Sequence, residues 1–209
     1  MNKTIAKKIY DILNKEYPGV TTALGHNDPL QLLVATILSA QCTDKRVNMV
    51  TKSLFKKYKK VEDYAGAGTA EFEKEIKSTG FYKNKAKNII AAARMIRDEF
   101  GGKVPGTMEE LVRLPGVARK TANIVLFHSF GKNDGIAVDT HVKRLSGLLA
   151  LTKNTDPVKI EKDLMPLFDR NKWGDLSNLL IEHGRKICNA RKPLCTQCKL
   201  NKLCPSARV

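Results

Sequence analysis

Apolar residues recur at intervals of three and four along nearly the whole chain, the spacing that lines one face of an α-helix. Ile5, Ile9, Ile12 and Leu13 make a first stripe, ending near Pro18 and Gly19. Asp28 and Pro29 pair a capping side chain with a proline at the first helical position, and predict a helix over 30–40. Val47, Val50, Leu54 and Tyr58 share the face of a next one. Thr69 is placed to cap a helix ending at Gly80. Ala86, Ile89, Ile90, Ala93 and Ile96 mark another, stopped by Gly101 and Gly102. Thr107 followed by Glu110 has the capping-box pattern and opens a short helix. Asp156 and Pro157 repeat the cap-and-proline signal ahead of Ile160, Leu164 and Phe168, and Leu176, Leu179, Leu180, His183 and Ile187 form a last stripe. No turn dipeptide separates alternating apolar runs, and no repeat or low-complexity linker interrupts the pattern. The prediction is an all-α fold.

The longest apolar run, over 30–40, is broken by Gln31, Thr36 and Ser39 and falls short of the ~18–20 residues of a membrane span. It reads as a buried helix. The 209 residues are enough for one or two domains with a real core. A formal net charge of +16 exceeds what solubility needs and points to a polyanion, of which nucleic acid is the usual one. Charge alone leaves open a generically basic protein.

Four of the five cysteines close the chain, spaced Cys188-x6-Cys195-x2-Cys198-x5-Cys204. Thiolates are soft ligands, and four from one short segment can enclose zinc or an iron–sulfur cluster. The tail around them is basic, has no acidic residue and few bulky apolar ones, so a metal would do much to fold it. Disulfides are the alternative. No signal peptide is evident at Met1 and the upstream chain has one cysteine, so the expectation is a reducing, cytoplasmic setting and a metal centre. Zinc ligands usually come as two close pairs; only Cys195 and Cys198 form one, and the spacing leans to iron–sulfur. Cys42 is expected to pack.

The most specific local signal runs from Leu111 to Asn123. Pro115 disfavours helical geometry in Leu114, Gly116 permits a tight turn, and a second helix is expected to start near Arg119. Backbone amides of such a hairpin form a donor set suited to a phosphate oxygen, and would bind DNA without reading sequence. A purely structural hairpin is the competing reading.

Taken together, Leu38-Ser-Ala-Gln-Cys-Thr-Asp44, Gly80-Phe-Tyr82, Leu114-Pro-Gly-Val-Ala-Arg-Lys-Thr-Ala122, Val138-Asp-Thr-His141 and the tail cysteines resemble the endonuclease III family of base-excision DNA glycosylases. The resemblance spans the whole chain. It implies the helix-hairpin-helix DNA glycosylase fold: a six-helix barrel domain over 22–132, and a helical domain over 1–21 and 133–209 holding a [4Fe–4S] cluster on Cys188, Cys195, Cys198 and Cys204, with a cleft between them. It further implies a bifunctional glycosylase and AP lyase acting on oxidised or ring-saturated pyrimidines. The expected partner is damaged double-stranded DNA, with no membrane and no nucleotide cofactor. The chain is expected to act as a monomer, in the cytoplasm at the nucleoid.

Residue roles come from the same resemblance. Lys120 becomes the nucleophile that attacks C1′ and forms a Schiff base. A protonated amine cannot attack, so such a lysine needs a depressed pKa; a helix start opposes its charge, and Arg119, Lys143 and Arg144 are expected to add repulsion. A phosphate-binding lysine is the plainer reading. Asp139 becomes the carboxylate that stabilises positive charge on the sugar, and reads independently as an N-cap. Gln41 fills the hole left by the extruded base, and Phe81, where close relatives carry leucine, wedges the opposite strand. Gly116, Val117, Ala118 and Arg119 form the phosphate-binding turn, and His141 either supports the site or packs. Ala118 replaces a common glycine, so a positive φ there would strain it. Lysine at 120 argues against the adenine-mismatch branch of similar glycosylases. A non-enzymatic DNA-binding protein is the competing class.

Overall fold

The computed structural model describes residues 2–208, which form eleven α-helices and, among the described residues, no strand. The chain divides into two compact units, one made of Thr22–Lys132 and the other of Met1–Thr21 with Asn133–Val209.

The continuous unit holds α2 (Pro29–Leu38), α3 (Asp44–Lys57), α4 (Val61–Ala65), α5 (Thr69–Ile76), α6 (Tyr82–Glu99), α7 (Met108–Leu111) and α8 (Arg119–Phe130), taking α1 as the N-terminal Lys3–Glu16. Helix α2 has almost no polar side chain and is buried at every position from Leu32 to Leu38, as expected of a helix apolar all round. Asp28 caps it, its carboxylate accepting from the Gln31 amide at 2.8 Å. Around it pack Leu54, Tyr64, Phe72, Ile76, Ile89, Ile96 and Leu111, all essentially without solvent contact. Each such side chain contributes roughly 1.5–3 kcal/mol by leaving water. Tyr64 and Phe72 meet edge to face, 6.0 Å between ring centres.

The second unit holds α1, α9 (Thr140–Leu148), α10 (Pro157–Leu164) and α11 (Trp173–Lys186). Ala6, Ile9, Tyr10 and Leu13 of α1 join Leu176, Leu179 and Leu180 of α11, with Val142, Leu145, Ile160 and Leu164, in one core that also takes Leu200 from the tail. The predicted cap at Asp156 is present, accepting from Lys159 N at 3.0 Å.

Several local expectations shift. Ile5 is 36% exposed; Ala6 takes the buried place, because the small side chain sits in register with Ile9, Tyr10 and Leu13. Thr69 is the first helical residue and Gly68 the cap; the helix ends at Ile76 and tightens into a 3-10 turn, Lys77–Thr79, before Gly80. Helix α2 stops at Leu38, two residues early, where the Ser39 hydroxyl donates back to Thr36 O at 2.8 Å. Helix α7 is a single turn. Thr107 accepts from Glu110 N, but its hydroxyl donates to the Glu110 carboxylate, so the box closes through side chains. Among the described residues no helix is long and apolar enough to cross a membrane.

Candidate functional site

Leu114 and Val117 are buried and anchor the turn after α7, with Val117 N donating to Leu114 O at 3.0 Å. Between them Pro115 and Gly116 reverse the chain. Gly116 has φ +80°, and a Cβ there would stand 2.8 Å from Asn88 Cβ, so both conformation and space require glycine. Ala118 has φ −90° and ψ 169°, an extended conformation any residue adopts, so the strain that a positive φ would bring at this departure from glycine does not arise. Ala118 is the N-cap of α8 but has no side-chain acceptor, unlike Asn2, Asp28, Thr43, Asp139 and Asp156 at their helices. The first turn of α8 therefore presents amides suited to an external anion. Arg119 opens the helix half-buried, and Lys120 after it is exposed.

Gln41 and Phe81 lie in the same unit and share an unusual trait. Both are exposed, Phe81 to 63%, and both hold left-handed backbone, φ 52° and 48°. Cys42 packs against the core beside Gln41.

Asp139 and His141 belong to the other unit. Asp139 caps α9, accepting from the Val142 amide at 2.8 Å, so the cap reading holds. The same helix runs along the cysteine-rich tail. Cys188, Cys195, Cys198 and Cys204 line one cavity of about 430 Å³ together with Arg144, Leu145, Leu148 and His183. All four are free thiols. Burial pushes the Cys188 and Cys198 thiols up, while the Arg144 guanidinium, 3.7 Å from the Cys188 sulfur, pulls Cys188 the other way. A bound metal would replace those protons.

Four thiols from one segment are soft donors for a metal centre. One tetrahedral zinc needs sulfurs about 3.8 Å apart around one point. Four thiols spread around one cavity would offer one thiolate to each iron of a cluster. Four soft ligands around one cavity fit the expected group.

Sequence reasoning missed two supports of this cavity. Arg144, expected to act on Lys120, donates to the Cys188 carbonyl at 2.5 Å and lies 3.3 Å from His141 Nδ1. That contact sets His141 against Arg144, beside the tail. His183, read as part of an apolar stripe, is buried, with Nδ1 2.9 Å from the Tyr17 hydroxyl and Nε2 3.4 Å from the Cys198 sulfur. Its spacing matched a core helix face, and nothing local marked it otherwise.

One unit thus carries an uncapped helix after a Pro-Gly turn with a lysine in its first turn, and the other a four-cysteine cavity. Residues 34–170 match the HhH-GPD superfamily of base excision DNA repair proteins, and the chain belongs to its endonuclease III family. It is 57% identical over 207 residues to endonuclease III of Synechocystis, spanning 99% of this chain and 94% of that one. Endonuclease III of Bacillus subtilis is 46% identical over 195 residues, 93% of this chain and 89% of its own. A solved non-covalent endonuclease III–DNA complex superposes with a TM-score of 0.95 at 40% identity, covering 99% of this chain and 97% of that one.

Proposed function

We propose that this chain is a bifunctional DNA glycosylase and AP lyase of base excision repair, removing oxidised or ring-saturated pyrimidines from damaged duplex DNA. The observation that carries the reading is Lys120, an exposed amine in the first turn of a helix whose start is left for an anion. Phosphate held by the amides of Gly116 to Arg119 would bring a sugar to that amine without reading sequence. The Lys120 nitrogen attacks C1′, the glycosidic bond breaks, and the base leaves with the bonding electrons and gains a proton. The sugar ring opens to a Schiff base on Lys120. Loss of a C2′ proton then expels the 3′ phosphate, and water frees the lysine. Asp139 balances positive charge on the sugar and assists the proton transfers. Gln41 fills the vacated stack and Phe81 wedges the opposite strand, since a base inside a duplex is out of reach.

The unit over 22–132 is the six-helix barrel domain, with the single-turn α7 beside six longer helices, and 1–21 with 133–209 forms the cluster domain. Cys188, Cys195, Cys198 and Cys204 hold a [4Fe–4S] cluster; when bound it supplies the iron–thiolate bonds that fold the tail. The chain works as a monomer in the cytoplasm at the nucleoid. Borohydride reduction on abasic-site duplex tests the reading. A covalent adduct mapped to Lys120 is expected, and Lys120→Gln should still bind abasic DNA while cleavage and trapping both vanish. Trapping by that variant at another lysine overturns the assignment.

A further inference from the structure

Lys85, in the first turn of α6, is only 4% exposed, an unusual place for a lysine. Its ammonium donates to the carbonyls of Leu38 and Thr79, each at 2.8 Å. Leu38 is the last residue of α2, and Thr79 the last of the 3-10 turn after α5. Terminal carbonyls lack partners within their own helix and carry the negative end of its dipole. One buried cation therefore closes two helix ends at once. Burial pushes the Lys85 pKa down, so these carbonyls are what hold the charge in place.

The residues just beyond the two carbonyls give this arrangement its meaning. Gln41 lies three residues after Leu38, and Phe81 two residues after Thr79. Among the described residues the non-glycine positions with positive φ are Gln41, Phe81 and Ala150, so two of the three stand close behind an acceptor of Lys85. Left-handed backbone in such residues persists only where the surroundings dictate it. Lys85 also donates its own amide to Phe81 O at 3.1 Å, the first turn bond of α6, so side chain and backbone hold the two ends of the Thr79–Phe81 stretch.

We propose that Lys85 is a positioning residue that ties the Gln41 and Phe81 segments into one frame, so that filling the stack and wedging the opposite strand occur together. This rests on the reading of Gln41 and Phe81 given above. A lysine serving only to stabilise the core would give the same burial but no joint effect on DNA opening.

The test replaces Lys85 by methionine, similar in length and without donors, and monitors 2-aminopurine placed opposite or beside an abasic-site analogue in duplex. Lys85→Met should lose both fluorescence increases together, and its duplex turnover should fall roughly tenfold to a hundredfold. Its salt slope, and its trapping on an abasic site in single-stranded DNA where no stack must open, should match the parent. Lys85→Arg, which keeps a charged donor, should restore both signals in part. Retention of both signals by Lys85→Met, or an equal fall on single-stranded and duplex DNA, overturns the proposal. Should Lys85→Met not fold, Gln41→Ala and Phe81→Ala in the Lys85 protein decide. Their effects on turnover should depart from a simple product by about fivefold, and a simple product overturns the coupling. The fluorescence signals need no chemistry. Failure of the parent protein to trap abasic DNA would count against Lys120 and leave the Lys85 result readable.

Discussion

The Tyr17 hydroxyl lies 2.9 Å from Nδ1 of His183, joining the segment after α1 to the buried face of α11. Burial holds the His183 pKa down at about 4, so near neutrality the ring carries one N–H. A metal-bound Cys198 thiolate has no proton to give. With a cluster bound as proposed, Nε2 would carry the hydrogen toward Cys198 and Nδ1 would accept from Tyr17. Tyr17→Phe should strand a buried acceptor and cost about 1–3 kcal/mol, read as a lower Tm. An unchanged Tm would dismiss the contact as incidental.

The Pro-Gly turn makes opposite forecasts for two neighbours. Gly116→Val sets a Cβ against Asn88 and forces a positive φ on a β-branched residue, so affinity should drop for damaged and undamaged duplex alike. Ala118→Gly should leave affinity unchanged, because Ala118 already has extended backbone. Tighter DNA binding by Ala118→Gly would show that the position is strained after all.

Asp139→Asn keeps an oxygen that can cap α9 and removes the negative charge. Binding to abasic DNA and Tm should stay near the parent values, while base release slows by orders of magnitude. A stability loss matching the activity loss would reduce Asp139 to a cap.

Replacing Cys195 by serine should remove the cluster. The parent, purified without oxygen, should be brown with about four iron per chain, and the variant pale. Arg144, Leu145 and Leu148 place α9 along the cysteine cavity, and Asp139 starts that helix. Base release should therefore fall further than the hairpin's contribution to phosphate binding. A colourless, zinc-loaded and active parent protein defeats the cluster assignment.

Asp63 supplies a pH signature in the other unit. Its carboxylate accepts from the amides of Lys59 and Lys60 at 2.8 and 3.0 Å, and these bonds hold its pKa below the usual carboxylate range. A depressed folded-state pKa means the stabilisation is present above the unfolded value of about 3.9 and lost as pH falls through the folded one. Asp63→Ala should lower Tm at neutral pH, with the gap closing in strong acid. A gap of constant size down to pH about 2 would argue that packing, not the carboxylate, matters there.

Helix content was legible because periodicity and capping are local. Asp28 and Asp156 announced their helices by side-chain chemistry that operates within three residues. The Pro115–Gly116 turn was equally readable, since both residues restrict their own backbone. The roles of Arg144, His183 and Lys85 were not. Their partners lie 44, 166 and 47 positions away, for Cys188, Tyr17 and Leu38, and no spacing rule spans such distances. The backbone at Ala118 stayed open for a related reason: the φ of a cap depends on how the preceding turn is anchored, here by buried Leu114 and Val117.

The unit built from both ends of the chain also imposes an order on biosynthesis. Helix α1 leaves the ribosome well before its partner: Leu176, Leu179 and Leu180, which cover its apolar face, are made more than 150 residues later. At about 5–20 residues per second that interval is on the order of ten to thirty seconds. The stretch 22–132 is continuous and can collapse on itself meanwhile. A nascent chain halted just after residue 132 has cleared the ribosome would thus carry one finished unit and a sticky amphipathic helix awaiting its mate, the natural target for a holding chaperone during translation.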